Sequence, residues 1–415
     1  MRWAWDPIPR TKTDAGFETW KGKNASLTGA ANAWSIISAD AERDLVFIPT
    51  TSPSPDYYGG ERLGKNLYAS SIVAIRASTG KVVWHFQTVH HDVWDYDNAA
   101  QPLLLPFVQG GKTVPAVAVG TKMGHIFILH RETGVPLLPV EERAVPKSSV
   151  AGEETNPTQP FPKTLPALGL QKLEAWGPTP ADKAVAQQRI DAFHYEGIFT
   201  PPSLQGSLMV PGNVGGIHWG GMCYDPKSGL LITNVNRMAA IIRLLPREQL
   251  AGTNRTDEEL LRAETGMQAG TPYVVKRSYL FKESKDGILM QTPPPWGTLA
   301  AVNLQTGTLA WETPLGYMLN PANYPQAKQW GSLNLGGAIV TAGGLVFVAA
   351  TLDGHFRAFS TQDGSLQWEI PLPANGHATP MTYQVSGQQY VVIAAGGHGK
   401  LNTKLGDYVV AYRLP

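Results

Sequence analysis

Short runs of alternating apolar and polar residues, separated by tight turns, recur along this chain. One pattern repeats: a strand-like run, a Thr-Gly or Asp-Gly turn, and a second run that ends in tryptophan. It occurs as SIVAIRASTGKVVW (71–84), GTLAAVNLQTGTLAW (297–311) and GHFRAFSTQDGSLQW (354–368), with a degenerate copy at 124–138 and a shortened copy at 407–415. A further hairpin precedes these copies, for example at 33–50 and at 218–234. Repeated units of about four antiparallel strands predict an all-β fold of the β-propeller type.

The tryptophan that ends each full copy is best explained as a packing residue. A large flat ring at the end of one blade can cover the neighbouring blade, and this role is predicted for Trp84, Trp311 and Trp368. About five units can be counted, and RWAWDP (2–7) resembles the tail of a further blade. The sequence therefore predicts a single propeller domain over 1–415 with about five blades plus part of another, and with its N-terminal blades missing.

Two segments interrupt the repeat and predict helical insertions. The first, at about 140–200, carries a proline-rich run and a helix-like pattern at 180–197. The second, at about 237–296, carries another helix-like pattern with a capping box from Thr256 to Glu259. Insertions between blade strands lie on one face of a propeller, which is often the binding face.

Composition narrows the possible functions. The net charge is +1 and no block of like charges occurs, which favours neither nucleic acid nor an anionic membrane surface as a partner. Cys223 is the only cysteine, so disulfides and multi-cysteine metal sites within the chain are excluded. The most apolar stretch (335–350) contains glycines at its centre and predicts two strands around 342–344 rather than a membrane helix. The first ten residues lack the apolar core of a signal peptide.

The densest cluster of titratable groups is HHDVWDYD (90–97), directly after a strand-like run. His90 and His91 are adjacent, so on a strand they point to opposite faces, and structural hydrogen bonding is favoured over metal binding. Asp95, between Trp94 and Tyr96, is expected to be partly desolvated, as a general base or a cation ligand often is.

Polar residues at strand ends converge on the central channel of a propeller. Five units each offer one candidate: Asp95, Lys122, Asn234, Asp353 and His398. One such residue alone is more often a turn residue than a catalytic one, so the prediction depends on the combination. Two interpretations of Lys122 stay open, a cation that stabilises an electron-rich oxygen and a solvent-facing turn residue. Trp34 begins a hairpin instead of ending a blade, so its ring could underlie a planar ligand.

Four long segments resemble the pyrroloquinoline quinone (PQQ)-dependent dehydrogenases, in particular the membrane-bound glucose, quinate and shikimate dehydrogenase branch. They occur in the family's order at 68–102, 193–213, 377–383 and 396–412. The resemblance covers essentially the whole chain and implies the family fold, an eight-bladed propeller. Two segments next to the expected pocket, 215–221 and 329–337, do not match the glucose members, which leaves the substrate open.

The resemblance implies a role for each candidate residue. Asp95 corresponds to the catalytic base and Lys122 to the lysine that bonds the quinone oxygens. A divalent cation, Ca²⁺ or Mg²⁺, would bridge Asp95 and PQQ, with Ser54 as the nearest match to a further oxygen ligand. Trp34 corresponds to the residue that forms the floor under the PQQ ring, and Asn234 to an amide on the cofactor side. Asp353 and His398 correspond to two residues that line the cofactor or substrate pocket.

The implied activity is oxidation of a sugar or cyclic polyol hydroxyl by hydride transfer to PQQ. Electrons would pass to ubiquinone or the respiratory chain, and the protein would be periplasmic, held at the inner membrane by a region absent from this chain. Two alternatives stay open. One is a non-catalytic scaffold built from PQQ-like repeats, which has no reason to retain the candidate residues together. The other is an inactive fragment of the dehydrogenase.

Overall fold

A computed structural model describes residues 2–22, 25–250 and 264–413 of the chain. The first two blades are consecutive antiparallel sheets. The first blade has four strands: β1 (Ser38–Asp40), β2 (Leu45–Pro49), β3 (Ser71–Arg76) and β4 (Val82–Gln87). The second blade has three: β5 (Leu103–Gln109), β6 (Lys112–Gly120) and β7 (Ile126–His130).

The first insertion follows the second blade. Its elements are the hairpin of β8 (Val140–Ala144) and β9 (Thr158–Pro162), the helix α1 (Pro180–Asp191) and the strand β10 (Ser207–Met209). Thr179 caps α1 by accepting a hydrogen bond from the Asp182 N–H, and Pro180 fits the first helical turn. The predicted helix at 180–197 is confirmed up to Asp191. It ends before His194 because His194 instead forms a β-bridge with Ser207.

The third blade encloses the second insertion. It begins with β11 (Cys223–Asp225) and β12 (Leu230–Asn236). The insertion then contributes β13 (Ala240–Pro246), β14 (Thr265–Gly266), β15 (Tyr273–Tyr279), β16 (Phe281–Ser284) and β17 (Gly287–Met290), and the blade resumes with β18 (Gly297–Asn303) and β19 (Thr308–Pro314). In the described part of this insertion, β13, β15 and β14 form one sheet together with β10 of the first insertion. The helix predicted from the capping box of Thr256 and Glu259 lies outside the described residues.

The chain continues through a short helix into two further blades. These elements are α2 (Ala327–Trp330), the fourth blade β20 (Ala338–Val340), β21 (Leu345–Val348), β22 (His355–Ser360) and β23 (Leu366–Pro371), and the fifth blade β24 (Met381–Val385), β25 (Gln388–Ala395) and β26 (Tyr408–Arg413). Single 3₁₀ turns lie at Phe17–Thr19, Ala25–Leu27, Arg247–Leu250 and Gly399–Leu401. The two strands predicted around 342–344 are β20 and β21. In the parts of the chain that can be described, every helix is too short or too polar to cross a membrane.

The repeat seen in the sequence is also a repeat in strand register. In three blades an alanine of the third strand pairs with the tryptophan ten residues later, and a β-bulge follows: Ala74 with Trp84, Ala301 with Trp311 and Ala358 with Trp368. The small alanine side chain lies opposite the large tryptophan side chain at the same place in each blade. The three indole rings therefore occupy equivalent positions in their blades.

Tryptophans join each of these blades to the next. Three indole Nε1–H groups donate to main-chain oxygens at the turn of the following unit: Trp3 to Ala77 (2.7 Å), Trp84 to Arg131 (3.0 Å) and Trp311 to Thr361 (2.8 Å). Trp368 packs edge-on against Tyr412 of the fifth blade, with ring centroids 5.2 Å apart. The packing role predicted for Trp84, Trp311 and Trp368 is confirmed, and Trp3 makes the blade-ending contact expected of the segment 2–7.

The apolar core lies between successive blades. Representative buried pairs, in blade order, are Phe47 with Phe127, Ile128 with Leu231, Ile232 with Val346, and Phe356 with Ile393. Full burial of each such side chain contributes about 1.5–3 kcal/mol. This stacking fixes the loops at the strand ends, including those that carry the candidate residues.

Candidate active site

Asp92 organises the loop that follows β4. Its carboxylate accepts hydrogen bonds from the Trp94 N–H (2.8 Å), the Tyr96 N–H (3.1 Å) and the Ser70 hydroxyl (2.8 Å). Asp95 adopts a left-handed backbone conformation with φ of 56°, which is unusual for a residue other than glycine. A loop held in this way fixes the direction of the Asp95 side chain.

Two aromatic residues attach this loop to the segment 193–213. Trp94 Nε1 donates to the Thr200 main-chain oxygen at 2.9 Å, and the Tyr96 hydroxyl lies 2.9 Å from the Pro211 oxygen. Both side chains are fully buried. The segment 193–213, whose resemblance to the family is long and specific, therefore supports the Asp95 loop.

The two histidines of the loop make separate hydrogen bonds. His90 lies between Gln87 (2.7 Å) and Glu142 (3.0 Å), and His91 Nε2 lies 2.6 Å from Glu153 Oε1. The rings point to different partners, so the structural hydrogen bonding predicted for His90 and His91 is confirmed.

Asp95 and Lys122 are brought together. Lys122 Nζ lies 2.8 Å from the Asp95 main-chain oxygen, 3.5 Å from Asp95 Oδ1 and 2.8 Å from Asp97 Oδ2. The Tyr57 hydroxyl donates to Asp95 Oδ2 at 3.3 Å. The Lys122 side chain is 8% exposed, so its interpretation as a solvent-facing turn lysine is wrong.

The electrostatics of this pair suit a proton acceptor next to a fixed cation. Burial, together with the nearby Asp97 and Asp56 carboxylates, raises the pKa of Asp95 well above its ordinary value, although Lys122 opposes the shift. Burial acts to lower the pKa of Lys122, but Asp95 and Asp97 overcome it and raise that pKa. Lys122 therefore stays charged, while Asp95 is a stronger base than an exposed aspartate.

Asp56 and Tyr57 belong to this cluster and were missed from the sequence. Burial and the Asp97 charge raise the pKa of Asp56, and the Asp56 charge in turn contributes to the raised pKa of Asp95. The signal was available, because Asp56 lies two residues after Ser54 in the stretch already considered for an oxygen ligand. Ser54 itself donates its main-chain N–H to the Gly29 oxygen (3.1 Å).

Asn234 lies in a separate buried network. Its Nδ2 donates to Asn334 Oδ1 (2.6 Å) and to the Gly336 oxygen (3.0 Å). His218 Nε2 lies 3.3 Å from the same Asn334 oxygen, and burial lowers the pKa of His218 to about 4. Neutral His218 and Asn334 therefore fix the Asn234 amide.

The segment 215–221 connects this network to Lys122. The Gly216 N–H donates to the Lys122 oxygen (2.6 Å), and the Asn236 N–H donates to the Gly216 oxygen (2.9 Å). At its other end, a Cβ on Gly220 would lie 1.8 Å from the Gly336 oxygen. The segments 215–221 and 329–337 thus meet through glycines that no larger residue could replace without movement.

His398 and Asp353 lie further along the ring of blades. The His398 ring is 5.9 Å from that of His377, and its Nδ1 is buried without a hydrogen-bond partner in the described structure. The Asp353 carboxylate is enclosed, with Arg357 Nη2 and Thr351 Oγ1 each 2.7 Å away. Because the Asp353 carboxylate already binds these two neighbouring side chains, contact with a ligand would require the existing hydrogen bonds to be exchanged.

Trp34 precedes β1 and is half exposed. The next residue, Ser35, donates its hydroxyl to the Ala99 oxygen, two residues after Asp97. An exposed indole beside the segment that follows the Asp95 loop is available to a planar ligand.

Residues 1–391 match the PQQ family model described as the glucose/ethanol/alcohol dehydrogenase β-propeller domain. The whole chain aligns with quinoprotein glucose dehydrogenase of Escherichia coli K12 at 39% identity and with quinate/shikimate dehydrogenase (quinone) of Acinetobacter baylyi at 36%, covering 52% of each relative. The glycerol dehydrogenase large subunit of Gluconobacter thailandicus is 37% identical, with 58% covered. The chain thus spans about half the length of these curated relatives.

Solved structures share the fold. The quinohemoprotein alcohol dehydrogenase of Pseudomonas putida HK5 gives a TM-score of 0.60 at 23% identity over 91% of this chain and 47% of that one. A europium-containing methanol dehydrogenase gives 0.60 at 21% identity, over 94% and 55%. The family match over nearly the full length and these relatives together show that the chain belongs to the PQQ-dependent quinoprotein dehydrogenases.

Proposed function

We propose that this protein oxidises a hydroxyl group of a sugar or cyclic polyol, with PQQ as the hydride acceptor and Asp95 as the general base. The observation that carries the proposal is the buried Asp95 carboxylate, which has a raised pKa and lies between the Tyr57 hydroxyl and Lys122. When bound, PQQ supplies the two-electron redox chemistry.

Asp95 receives the proton of the substrate hydroxyl at a carboxylate oxygen. A base works best when its pKa lies close to the working pH, and burial moves the Asp95 pKa in that direction. Tyr57 holds Oδ2 by a hydrogen bond, and Lys122 holds the main chain. The carboxylate is therefore oriented before substrate arrives.

Residues of this chain have the chemistry needed to hold a planar, anionic quinone. Trp34 offers an exposed flat ring, Lys122 a buried positive charge and Asn234 an amide that its own hydrogen bonds hold in place. His398 has a buried ring nitrogen without a partner. Trp34, Lys122, Asn234 and His398 are the residues that would hold the cofactor.

The acidic cluster also has the chemistry of a divalent cation site. Asp95 and Asp56 are oxygen donors of the kind that Ca²⁺ and Mg²⁺ prefer. Burial, with the neighbouring carboxylates, raises the pKa of each, and a bound cation would offset both effects. Within the described residues no three acidic, histidine or cysteine side chains form such a site by themselves. We therefore assign Asp95 and Asp56, with Ser54 as a weaker candidate, as a partial ligand set to which the cofactor would add oxygens.

The proposed electron acceptor is supported by a relative's name, and the proposed location by the resemblance to the membrane-bound branch. One relative is named as a quinone-linked quinate/shikimate dehydrogenase, which supports a quinone of the respiratory chain as acceptor. Ubiquinone at the periplasmic side of the inner membrane is the acceptor we propose.

The test is reconstitution of the full-length protein with PQQ and Ca²⁺, followed by dye reduction with glucose, quinate, shikimate and simple alcohols. Asp95→Asn is expected to bind PQQ like the wild type and to lower kcat by ~10²–10⁴-fold, the range for loss of a general base. Asp97→Asn is not a suitable control because Asp97 binds Lys122. The exposed Asp363, in the turn between β22 and β23, is a suitable control. Asp363→Asn should leave kcat unchanged.

Two results would refute the proposal. Full activity of Asp95→Asn would exclude Asp95 as the base. Failure of the full-length protein to bind PQQ at micromolar concentrations would instead favour a non-catalytic propeller scaffold.

A further inference from the structure

The second insertion contacts the catalytic cluster through Tyr57. The Tyr57 N–H donates to Gln268 Oε1 at 2.9 Å, and the Tyr57 hydroxyl lies against the Arg277 guanidinium while donating to Asp95. Arg277 lies on β15, whose last residue, Tyr279, interacts with Asn213. One side of Asp95 is therefore formed by residues from outside the blades.

Three buried polar atoms on this side have no hydrogen-bond partner in the described structure: Gln268 Nε2, Arg277 Nε and Asn213 Oδ1. Buried polar groups are almost always paired, because an unpaired one has lost its hydrogen bonds to water without gaining others. Three such atoms around Tyr57 and Tyr279, beside the proposed base, indicate a surface built to bind a polar ligand.

The charges on this side show which ligand it suits. Lys122 donates hydrogen bonds to the Asp97 carboxylate and the Asp95 main-chain oxygen. Arg62 donates to the main-chain oxygens of Pro55 and Asp92. Besides its contact with the Tyr57 hydroxyl, Arg277 lies 3.3 Å from Glu264, whose side chain is 45% exposed, and solvent weakens such a pair. Arg277 is thus the nearby cation that keeps donors for an incoming group.

We propose that Arg277 is a specificity-determining residue that binds the carboxylate of a polyhydroxylated acid whose reacting hydroxyl lies at Asp95. An arginine presents a planar fork of donors that matches a carboxylate. Tyr57 lies between Arg277 and Asp95. Arg277 can therefore bind the carboxylate of a small ring while Asp95 contacts a hydroxyl of the same ring. The inference rests on the proposed function and names its substrate class as a hydroxylated acid instead of a neutral sugar.

The test compares quinate with quinate methyl ester, which keeps the ring and its hydroxyls but lacks the negative charge. Binding of each to the full-length, PQQ-loaded protein is measured by isothermal titration calorimetry, and turnover by dye reduction. Arg277→Gln is expected to raise the Kd and the KM for quinate by ~10- to 100-fold, the loss of a charge-assisted hydrogen-bonded pair, with kcat nearly unchanged because the contact is the same in ground and transition states.

Lys276→Gln is the matched control. It removes the same charge one residue away, from an exposed side chain on the opposite face of β15, and should change neither ligand's Kd. Arg277→Lys keeps the charge without the fork and should fall between Arg277→Gln and wild type. The ester should bind wild type and Arg277→Gln alike.

Two outcomes would overturn the inference: ester binding to the wild type as tightly as quinate, or equal weakening of both ligands by Arg277→Gln, which would mean that Arg277 only supports the pocket. If no compound is turned over but quinate binding still depends on Arg277, the dehydrogenase activity is refuted and carboxylate recognition stands.

Discussion

Lys122 Nζ lies closer to the main-chain oxygen of Asp95, at 2.8 Å, than to its carboxylate, at 3.5 Å. The lysine therefore holds the backbone of the base while leaving the carboxylate only partly neutralised. Its nearest acidic partner is Asp97 Oδ2, also at 2.8 Å. This division explains how a buried Lys–Asp contact can coexist with a raised Asp95 pKa.

Lys122→Met is expected to lower the free energy of unfolding by about 3–5 kcal/mol, because it leaves the Asp97 carboxylate buried without its counter-charge. Urea-induced unfolding monitored by tryptophan fluorescence measures the change. Lys276→Met, at an exposed site on β15, is the control and should change it by less than about 0.5 kcal/mol. Equal stability of Lys122→Met and wild type would show that the pair is solvated.

Tyr57→Phe removes the hydrogen bond to Asp95 Oδ2. Since that bond favours the ionised carboxylate, its loss raises the Asp95 pKa further. Asp95 accepts a proton only when ionised, so kcat/KM falls as the pH drops through the raised pKa, and in Tyr57→Phe this fall begins at higher pH. At the acidic end, kcat/KM is expected to be ~10-fold lower than in wild type.

The pH profile of kcat/KM measures this shift, with Tyr58→Phe as the matched control. The Tyr58 hydroxyl bonds the Ala151 main chain at 3.1 Å, away from Asp95. Identical acidic limbs for Tyr57→Phe and wild type would mean that Asp95 does not set that limb.

The blades and the Asp95 loop could be predicted from the sequence because their signals are local. Strand alternation, the turn glycine and the tryptophan ten residues after its paired alanine all lie within one hairpin. The family resemblance then identified Asp95 and Lys122 as partners, although they are 27 positions apart.

What the sequence did not reveal depends on contacts between distant segments. Gln268 and Arg277 are near Tyr57 only because the second insertion folds back onto the segment between β2 and β3. The strand β15 was missed because the sheet that it forms with β10, β13 and β14 contains strands from two separate insertions. Asn334 fixes Asn234 across 100 residues, and no short motif reports such a pair.

His125 makes the stability of the fold sensitive to acid. Burial, with a smaller effect of Arg143, lowers the pKa of His125 from 6.5 to about 4. Between these values the unfolded chain binds a proton that the folded protein does not, so stability is full above pH 6.5 and falls as the pH drops towards about 4, by about 3 kcal/mol at most.

His125→Phe is expected to remove the part of the acid-dependent loss that His125 contributes, while the buried His218 keeps its own part. It should also raise the free energy of unfolding at pH 7 by about 1 kcal/mol, because Nδ1 of His125 is buried without a partner, and the ring already packs against Phe161 at 5.0 Å. Urea unfolding at pH 7.5 and pH 5 measures both effects. His194→Gln, at an exposed histidine, should retain the wild-type pH dependence. The same dependence in His125→Phe would assign the acid sensitivity to other groups.

The contact between Trp84 and Gly134 can be tested with two alanine substitutions. Gly134 has φ of +70°, and a Cβ there would lie 2.5 Å from the Trp84 ring; Gly111 has φ of +76°, and nothing lies within 4 Å of its Cβ position. Both substitutions incur the left-handed backbone cost of about 1–2 kcal/mol. Gly134→Ala must in addition displace the indole that bonds Arg131 on the next blade, which adds about 2–3 kcal/mol. Urea unfolding of the two variants gives the difference directly, and equal destabilisation would mean that the ring moves freely and does not join the blades.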